Sequence, residues 1–314
     1  MIVVLYENED WLPPLVASLE RKSVPYRLQF VNGGSIDIST PPQDAVYINR
    51  MSPSSHTRGH MDGIRFMREY LWVLESYGRP IINGSNSFSF ELSKVRQHAA
   101  LESFGIHTPR TIATTGTTAL KENALQLEPP FITKHNQGGK GLGVKLYPSH
   151  QAFFDFLDNS SYESSPDNIN LLQDYIQPQN AYITRVEIVD GQFLYAIRSS
   201  TEDGFELCPA DACSLDDAFC PIGENADTGK FQLASDITAD TPIVQQYIAF
   251  CRTHQIDVAG IEFVEDANGQ QFTYDINCTT NYNSNIEGQL GFSGMDFIVE
   301  LAIQRWTDFQ HAKN

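Results

Sequence analysis

The chain has 314 residues, 41% apolar and 19% charged, the balance of a soluble globular protein with room for two or three lobes. Its formal net charge of −18 excludes the clustered basic surface that a nucleic-acid binder needs. Met1–Tyr6 lacks the basic start of a signal peptide and no apolar run reaches transmembrane length, while five cysteines, an odd number, fit a reducing cytoplasm better than a disulfide framework.

Ile2–Tyr6 is a short apolar strand, followed by a helix over Trp11–Arg21 with Leu12, Leu15, Val16 and Leu19 at helical spacing. Tyr26–Val31 and Ala45–Ile48 read as strands, Ile64–Tyr77 as an amphipathic helix and Pro80–Ile82 as one more strand. This alternation predicts a small parallel α/β unit over residues 1–88, whose ligands would sit beyond the carboxyl ends of its strands. The loop there, Asn49–Arg58, holds Arg50, Ser52, Ser54, Ser55 and Arg58, which suit a carboxylate or phosphate; a plain polar surface loop has the same composition.

Asn83–Ser89 is turn-rich and marks a boundary, with Ser87 or Ser89 as cap of a helix over Glu91–Phe104 whose inner stripe is Leu92, Val95, Ala99 and Leu101. Lys94 falls in its first turn, where the helix dipole disfavours a cation without an anionic partner. Pro130–Lys134 is a strand ending on a lysine, and His135–Gly143 leads from it into a second strand, Val144–Tyr147. Gly138, Gly139, Gly141 and Gly143 let backbone N–H groups approach an anion closely. Neither a Walker loop nor a dinucleotide fingerprint fits, because no helix opens after the glycines. A glycine-rich flap between antiparallel strands remains, or a hairpin that is glycine-rich merely to turn.

Asn170–Pro178 is a strand stopped by proline. Tyr182–Val189 and Gln192–Arg198 flank Asp190-Gly191, a two-residue turn that would set Arg198 opposite Ile183 and on one face with Arg185. Two arginines converging there need an anion between them, or else snorkel apart. Gly204–Asp227 shows little periodicity and reads as a long loop; its Cys208, Cys213 and Cys220 are too loosely spaced for a zinc site. Pro242–Thr253 and Met295–Gln310 are helices.

Between those helices, Val258–Glu265 and Gln271–Asn277 form a strand pair around Asn268-Gly269, the dipeptide of a type I′ hairpin turn. If that dipeptide is the whole loop, Glu262 faces Asp275, and Thr273, Asp275 and Asn277 share one side. Two carboxylates across a ladder repel unless a cation lies between them. With Asn277 they make an all-oxygen set suited to a hard ion such as magnesium. The alternative is a solvent-facing hairpin whose acids stay apart.

In this order, the helix lysine Lys94, the strand-end lysine Lys134 with its flap, the strand ending Gln173-Asp174-Tyr175-Ile176, the arginine hairpin and the acid–acid–Asn hairpin resemble ATP-grasp enzymes, and within them RimK-type and glutathione-synthetase-like carboxylate–amine ligases. The resemblance runs from about Ala45 to the C-terminus and is clearest at Ala45–Ser52, Ser93-Lys94, Gly105–Pro109 and Asp275–Asn277. It implies an ATP-grasp fold: the N-terminal α/β unit, then a central lobe over 89–175 and a C-terminal lobe over 176–314, both α+β, sandwiching ATP.

By the same resemblance, Lys94 and Lys134 contact the phosphates under the flap of Gly138, Gly139 and Gly141. Gln173 and the backbone of Asp174–Ile176 read the adenine edge with Tyr175 beside it, and Arg185 belongs to the nucleotide site. Glu262, Asp275 and Asn277 hold magnesium or manganese, and Arg198 supports the transferred phosphoryl group. Arg50, Ser52, Asn281 and Asn283 are the candidate substrate contacts. Carboxylate and amine substrates, a peptide among them, a cytoplasmic setting and a homo-oligomer are what such a family implies.

Three departures stand out. The usual metal order Asp, Glu, Asn has its acids exchanged at Glu262 and Asp275, Ser93 stands where an aspartate usually precedes the lysine, and Ile183 stands two residues before Arg185 where an aspartate is common. These leave ATP and metal binding in place and the substrate open. A ligase acting on side chains of a ribosomal precursor peptide, or a non-catalytic nucleotide-binding regulator, would share the same nucleotide site.

Overall fold

The computed structural model describes residues 1–139, 141, 143–159, 162–200 and 231–313. The expected loop Gly204–Asp227 with its three cysteines, and Lys140 of the glycine-rich stretch, lie outside the described residues.

Strands β1 (Ile2–Tyr6), β2 (Tyr26–Phe30), β3 (Val46–Arg50) and β4 (Ile81–Ile82) form a parallel sheet in the order β2-β1-β3-β4. Ile2, Val4, Val46 and Ile48 pack with Leu15 and Leu19 of helix α1 (Pro13–Arg21), while Val3, Leu5 and Tyr47 pack with Ile64, Met67 and Leu71 of α2 (Met61–Ser76). Strands covered on both faces read as unbroken apolar runs, which is how β1 and β3 appear in the sequence. Helix α1 starts at Pro13 rather than Trp11; Glu9–Trp11 is a short 3-10 turn capped by Asn8.

The single helix expected over Glu91–Phe104 is two, α3 (Ser85–Glu91) and α4 (Lys94–Ser103). Ser93 is extended and its hydroxyl accepts from Arg96 N at 3.3 Å, so it caps α4 in place of Ser87 or Ser89. The buried side of α4 is Lys94, Gln97, His98 and Leu101; of the expected stripe Leu92 and Leu101 are buried, Val95 is half-buried and Ala99 is exposed. Leu101 joins Phe90 and Ile106 in the core of the C-terminal sheet, so this helix shares that core rather than the central one.

The central unit comprises β5 (Thr111–Thr114), α5 (Thr117–Ala124), β6 (Phe131–His135), β7 (Lys145–Tyr147), α6 (His150–Leu157) and β8 (Asn170–Asp174). Its sheet is antiparallel in the order β5-β8-β6-β7, over a core of Leu120, Phe131, Phe153 and Leu172. The C-terminal unit has β9 (Tyr182–Val189), β10 (Gln192–Ser200), β11 (Phe231–Leu233), α7 (Pro242–Thr253), β12 (Val258–Glu265), β13 (Gln271–Asn277), α8 (Ser284–Leu290) and α9 (Gly294–His311), its sheet running β11-β10-β9-β12-β13. One face packs Val186, Ile188 and Ile261 on Val244, Tyr247 and Phe250 of α7. The other packs Val189, Ile197 and Val258 with α9, whose Ile298 and Val299 share their core with the N-terminal sheet. This is the ATP-grasp arrangement expected from the sequence: a parallel sheet and two antiparallel α+β units.

Two registers differ from the arithmetic of two-residue turns. An irregularity between Phe193 and Tyr195 sets Arg198 opposite Thr184, and Arg185 opposite Ile197. Paired residues point the same way, so Arg185 and Arg198 lie on opposite faces and the expected arginine convergence does not form. In the other hairpin only Gly269 has positive φ, at 78°; Gly269 N donates to Asp266 O and Asp266 N to Gln270 O, giving a three-residue loop rather than a type I′ turn. A second irregularity, at Tyr274, restores the register, and Glu262 does face Asp275. Strand β13, last in its sheet, bonds outward to non-strand groups: Thr273 N donates to His107 O at 2.8 Å, and the Gln97 amide both accepts from Ile276 N and donates to Ile276 O.

Asn83, in the boundary segment, ties the N-terminal unit to this hairpin. Its amide donates to Val258 O and Cys278 O, and its carbonyl oxygen accepts from the N–H groups of Asp257 and Val258. Asn83 also holds φ at 56°, which asparagine tolerates better than most residues. Asn83→Ala should therefore lower the unfolding free energy by roughly 3 kcal/mol, as buried partners are left unpaired. Urea denaturation measures this, and a loss below about 1 kcal/mol would show that the clamp matters little.

Candidate active site

Glu262, Asp275 and Asn277 project from one face of β12 and β13 into a cleft shared by all three units. Each facing carboxylate has its own cation. Arg185, directly across from Glu262 on β9, reaches its Oε1 through Nη1 at 3.0 Å. Lys94 Nζ lies 2.6 Å from Asp275 Oδ1, so the lysine that opens α4 against the helix dipole has the anion it needs. Asn277 Nδ2 donates to Glu262 Oε1 and Gly260 O, which turns its carbonyl oxygen away from them.

Arg185 is buried and fully committed: Nε donates to Glu187 Oε1 at 2.6 Å and Nη2 to Thr280 Oγ1 at 2.6 Å. Gly260 makes room for it, since a Cβ there would stand 2.3 Å from Nη2. Burial works against the guanidinium's charge, but Glu187 and Glu262 outweigh it and hold the proton firmly. Burial raises Glu262, whereas at Asp275 Lys94 and Lys134 overcome the burial effect and hold the carboxyl at about 2.

Lys134, next to last on β6, donates to Tyr274 O at 3.0 Å and sits 5.0 Å from the centre of the Tyr274 ring. Strand alternation would have turned Tyr274 away from Asp275; the irregularity there puts both on the cleft. Burial lowers Lys134 to about 8. Gly138, Gly139 and Gly141 line the cleft, and Gly139 rests against the N-terminal loop, where a Cβ would lie 3.4 Å from Ser54 Cβ.

The end away from the carboxylates is apolar, with Ile132, Val144, Ile183 and Val264, and Asp174, Tyr175 and Ile176 run along it. That is a greasy slot beside a strand end, suited to a flat heterocycle read by backbone groups. Gln173 also lines it, although its amide donates to Thr111 Oγ1 at 2.7 Å.

The expected substrate contacts divide. Ser52 and Asn281 line the cleft. Arg50 does not: it is buried behind, donating to Thr280 O at 2.7 Å and to Asn281 Oδ1, with burial lowering it to about 10. Arg58 is spent on Glu7, which it grips with both Nε and Nη2. Asn283 caps α8, its Oδ1 accepting from Ile286 N at 3.0 Å, and does not line the cleft. Arg198 does not line it either; on the opposite sheet face it forms a bidentate pair with Asp236 and lies 4.7 Å from the centre of the Tyr182 ring.

Residues that the sequence did not single out complete the site. Glu187 shares a face with Arg185 two positions on, which alternation alone could have shown. Thr279 and Glu91 line the cleft, and Glu91 Oε2 accepts from Cys278 N and Thr279 N. Burial raises Glu91 to about 7. No sequence pattern announces that glutamate.

The oxygen set of Glu262, Asp275 and Asn277 fits a hard divalent ion. The fit rests on oxygen donors alone: the Asn277 amide oxygen is left over, while Arg185 and Lys94 each take one oxygen of Glu262 and Asp275 and leave the second. The set alone is too small to coordinate such an ion, so water and substrate phosphates would supply the remaining positions.

His98, behind this wall against Gln173 and Thr111, is lowered to about 3 by burial and by Lys134 and Lys94. The unfolded chain takes up that proton first, so this histidine's contribution is whole above about 6.5 and is lost as pH falls toward 3. The unfolding free energy of wild type minus that of His98→Gln should fall by roughly 1 kcal/mol per pH unit between about pH 6 and 4. Denaturation at a series of pH values checks this, and a constant difference would contradict it.

Residues 92–206 match the RimK-like ATP-grasp domain. The fold is similar to the RimK-domain ATP-grasp protein of Sphaerobacter thermophilus DSM 20745, at 13% identity and a TM-score of 0.66 over 96% of this chain and 100% of that one. It is similar to the D-alanine–D-alanine ligase of Bacillus anthracis complexed with ATP, at 13% identity and a TM-score of 0.66 over 100% of both chains. The ATP-grasp ligase PsnB complexed with minimal precursor, magnesium and ADP matches at 15% identity and a TM-score of 0.63 over 97% of each chain. No curated protein matches the chain. Over its whole length the chain has the fold of these ATP-grasp ligases, and the family match covers residues 92–206.

Proposed function

We propose that the protein is an ATP-dependent carboxylate–amine ligase, forming an amide bond through an acyl phosphate on an amino acid or small peptide and releasing ADP and phosphate. The reading rests on one convergence: two lysines from different units, Lys94 and Lys134, meet a single hairpin that carries Glu262, Asp275 and Asn277. Structures of similar fold, PsnB with magnesium and ADP and a D-alanine–D-alanine ligase with ATP, support nucleotide and metal as the ligands.

The chemistry explains why such a site is needed. A carboxylate is a poor acyl donor because oxide would have to leave. Transfer of the γ-phosphoryl group to its oxygen breaks the β–γ P–O bond and makes a good leaving group. The amine nitrogen then attacks the carbonyl carbon, and phosphate departs with the C–O bond electrons. Little covalent work falls to the protein, so positioning and charge neutralisation dominate.

Asp174–Ile176 would hold the adenine edge, Lys94 and Lys134 the phosphates, and the glycine flap would shield the acyl phosphate from water. Magnesium or manganese held by Glu262, Asp275 and Asn277 would neutralise phosphate charge. Arg185, rather than Arg198, is the arginine that serves this cleft, by fixing Glu262 from behind. Ser52 and Asn281 remain as the contacts for the carboxylate and amine partners.

The test is ADP release with magnesium across a panel of amino acids, small amines and short peptides. Asp275→Asn should lower turnover by roughly 10²–10³-fold in the responsive combination, the scale of losing a group that stabilises developing charge. ATP binding without ADP release across the whole panel would overturn the ligase reading, and near-normal turnover of Asp275→Asn would remove the metal role from this hairpin.

A further inference from the structure

Glu91 stands at the end of α3, where the loop after β13 meets the loop after β3. It is only 6% exposed, yet it lines the cleft beside Lys94, Asn277 and Thr279. Its two oxygens differ. Oε2 accepts from the backbone N–H groups of Cys278 and Thr279, whereas Oε1 has no hydrogen-bond partner among the described residues. Oε1 is not fully sealed from solvent, and the residue lines the cleft.

A mostly buried carboxylate with one oxygen unpaired is costly unless a cation or N–H donor meets it. The nearby lysine does not reach it: Lys94 Nζ donates to Asp275 Oδ1 at 2.6 Å and makes no hydrogen bond to Glu91. Glu91 also stands apart from the β12–β13 strand pair that carries Glu262, Asp275 and Asn277, being held by the backbone of the loop that follows it. A ligand with N–H groups remains.

Resting on the ligase reading above, we infer that Glu91 Oε1 binds the nitrogen of the amine substrate. This oxygen would receive an N–H from the ammonium or amine group while Oε2 keeps the Cys278–Thr279 backbone in place. Glu91 thereby joins the wall that Thr279, Asn281 and Ser52 form, and it selects acceptors that carry a primary or secondary amine.

Glu91→Gln tests this with little disturbance, because the amide carbonyl can still accept from Cys278 N and Thr279 N while its NH₂ presents donors to the amine. The full-length chain is assayed with ATP, magnesium and the carboxylate–amine pair that gives the fastest ADP release in the panel. Glu91→Gln should raise KM for the amine at least tenfold, with KM for ATP and for the carboxylate changed less than threefold, and Glu91→Asp should recover part of the loss. Hydroxylamine, largely uncharged at neutral pH, should still trap the acyl phosphate as a hydroxamate with Glu91→Gln. An unchanged amine KM, or a parallel rise of all three KM values with loss of the hydroxamate, would overturn the assignment while leaving the ligase reading standing. A wild-type protein that releases no ADP with any member of the panel would overturn both.

Discussion

Two carboxylates held face to face on neighbouring strands set the terms for the whole C-terminal half of the molecule. At about 5 Å and an effective dielectric of about 20, their mutual repulsion is on the order of 3 kcal/mol. The fold answers with one cation per acid, and the cations come from separate places: Arg185 from the adjoining strand β9 and Lys94 from the start of helix α4. Satisfying one strand pair therefore fixes where α4 sits and what β9 must carry. It also explains the second glutamate on Arg185, since Glu187 orients a guanidinium that would otherwise be free to swing in a buried space. Removing either partner of such a pair strands a buried charge, at a cost of roughly 3–5 kcal/mol.

One side of the cleft is a dense web of polar contacts. The loop from Cys278 to Asn281 is gripped from four directions: by Glu91, by Arg185 and Glu187 at Thr280, by Arg50 at Thr280 and Asn281, and by Met51 O at Thr279. Arg305 Nη1, donating to Ile81 O at 2.6 Å, and Asn83 N, donating to Asp257 Oδ2 at 2.8 Å, add further ties between the two units. The N-terminal and C-terminal units thus meet as one seam of satisfied polar groups. The central unit meets that seam through Lys134 at Tyr274 O, His107 O at Thr273 N, and Asn136, which accepts from Lys94 N and Val95 N. Its glycines approach the N-terminal loop without side chains of their own, so closure there depends on backbone fit rather than on interlocking residues.

Much of this was legible in the residues. Both strands of the β12–β13 hairpin and helix α7 have the bounds that periodicity gives, because alternation and helical spacing are strong over those lengths. The facing of Glu262 and Asp275 emerged from two compensating departures. A three-residue loop moves the register one way and the extra residue at Tyr274 moves it back. No such compensation exists in the β9–β10 hairpin, where an extra residue at Leu194 turns Arg198 to the far face. Bulges follow from packing on both sheet faces, which a single strand's composition does not encode. The short elements β5, α5 and α6 escaped notice for a different reason: each is eight residues or fewer, too brief for a periodic signature. Arg50 looked like an anion binder by residue type, but burial assigned it to neighbouring carbonyl and amide oxygens. Glu91 has no local signal at all, because its partners lie 187 and 188 positions away.

The bonds that β13 makes on its outer side carry a consequence for the protein in a crowded solution. A terminal strand with free N–H and C=O groups invites a strand from another molecule, the first step of edge-to-edge aggregation. Here Gln97 mimics a neighbouring strand at Ile276, offering both an acceptor and a donor, and His107 occupies Thr273. The same helix that delivers Lys94 to Asp275 therefore also blunts the sheet against intermolecular pairing. A chain in which α4 came loose would lose the lysine that answers Asp275 and bare a sticky border at the same moment.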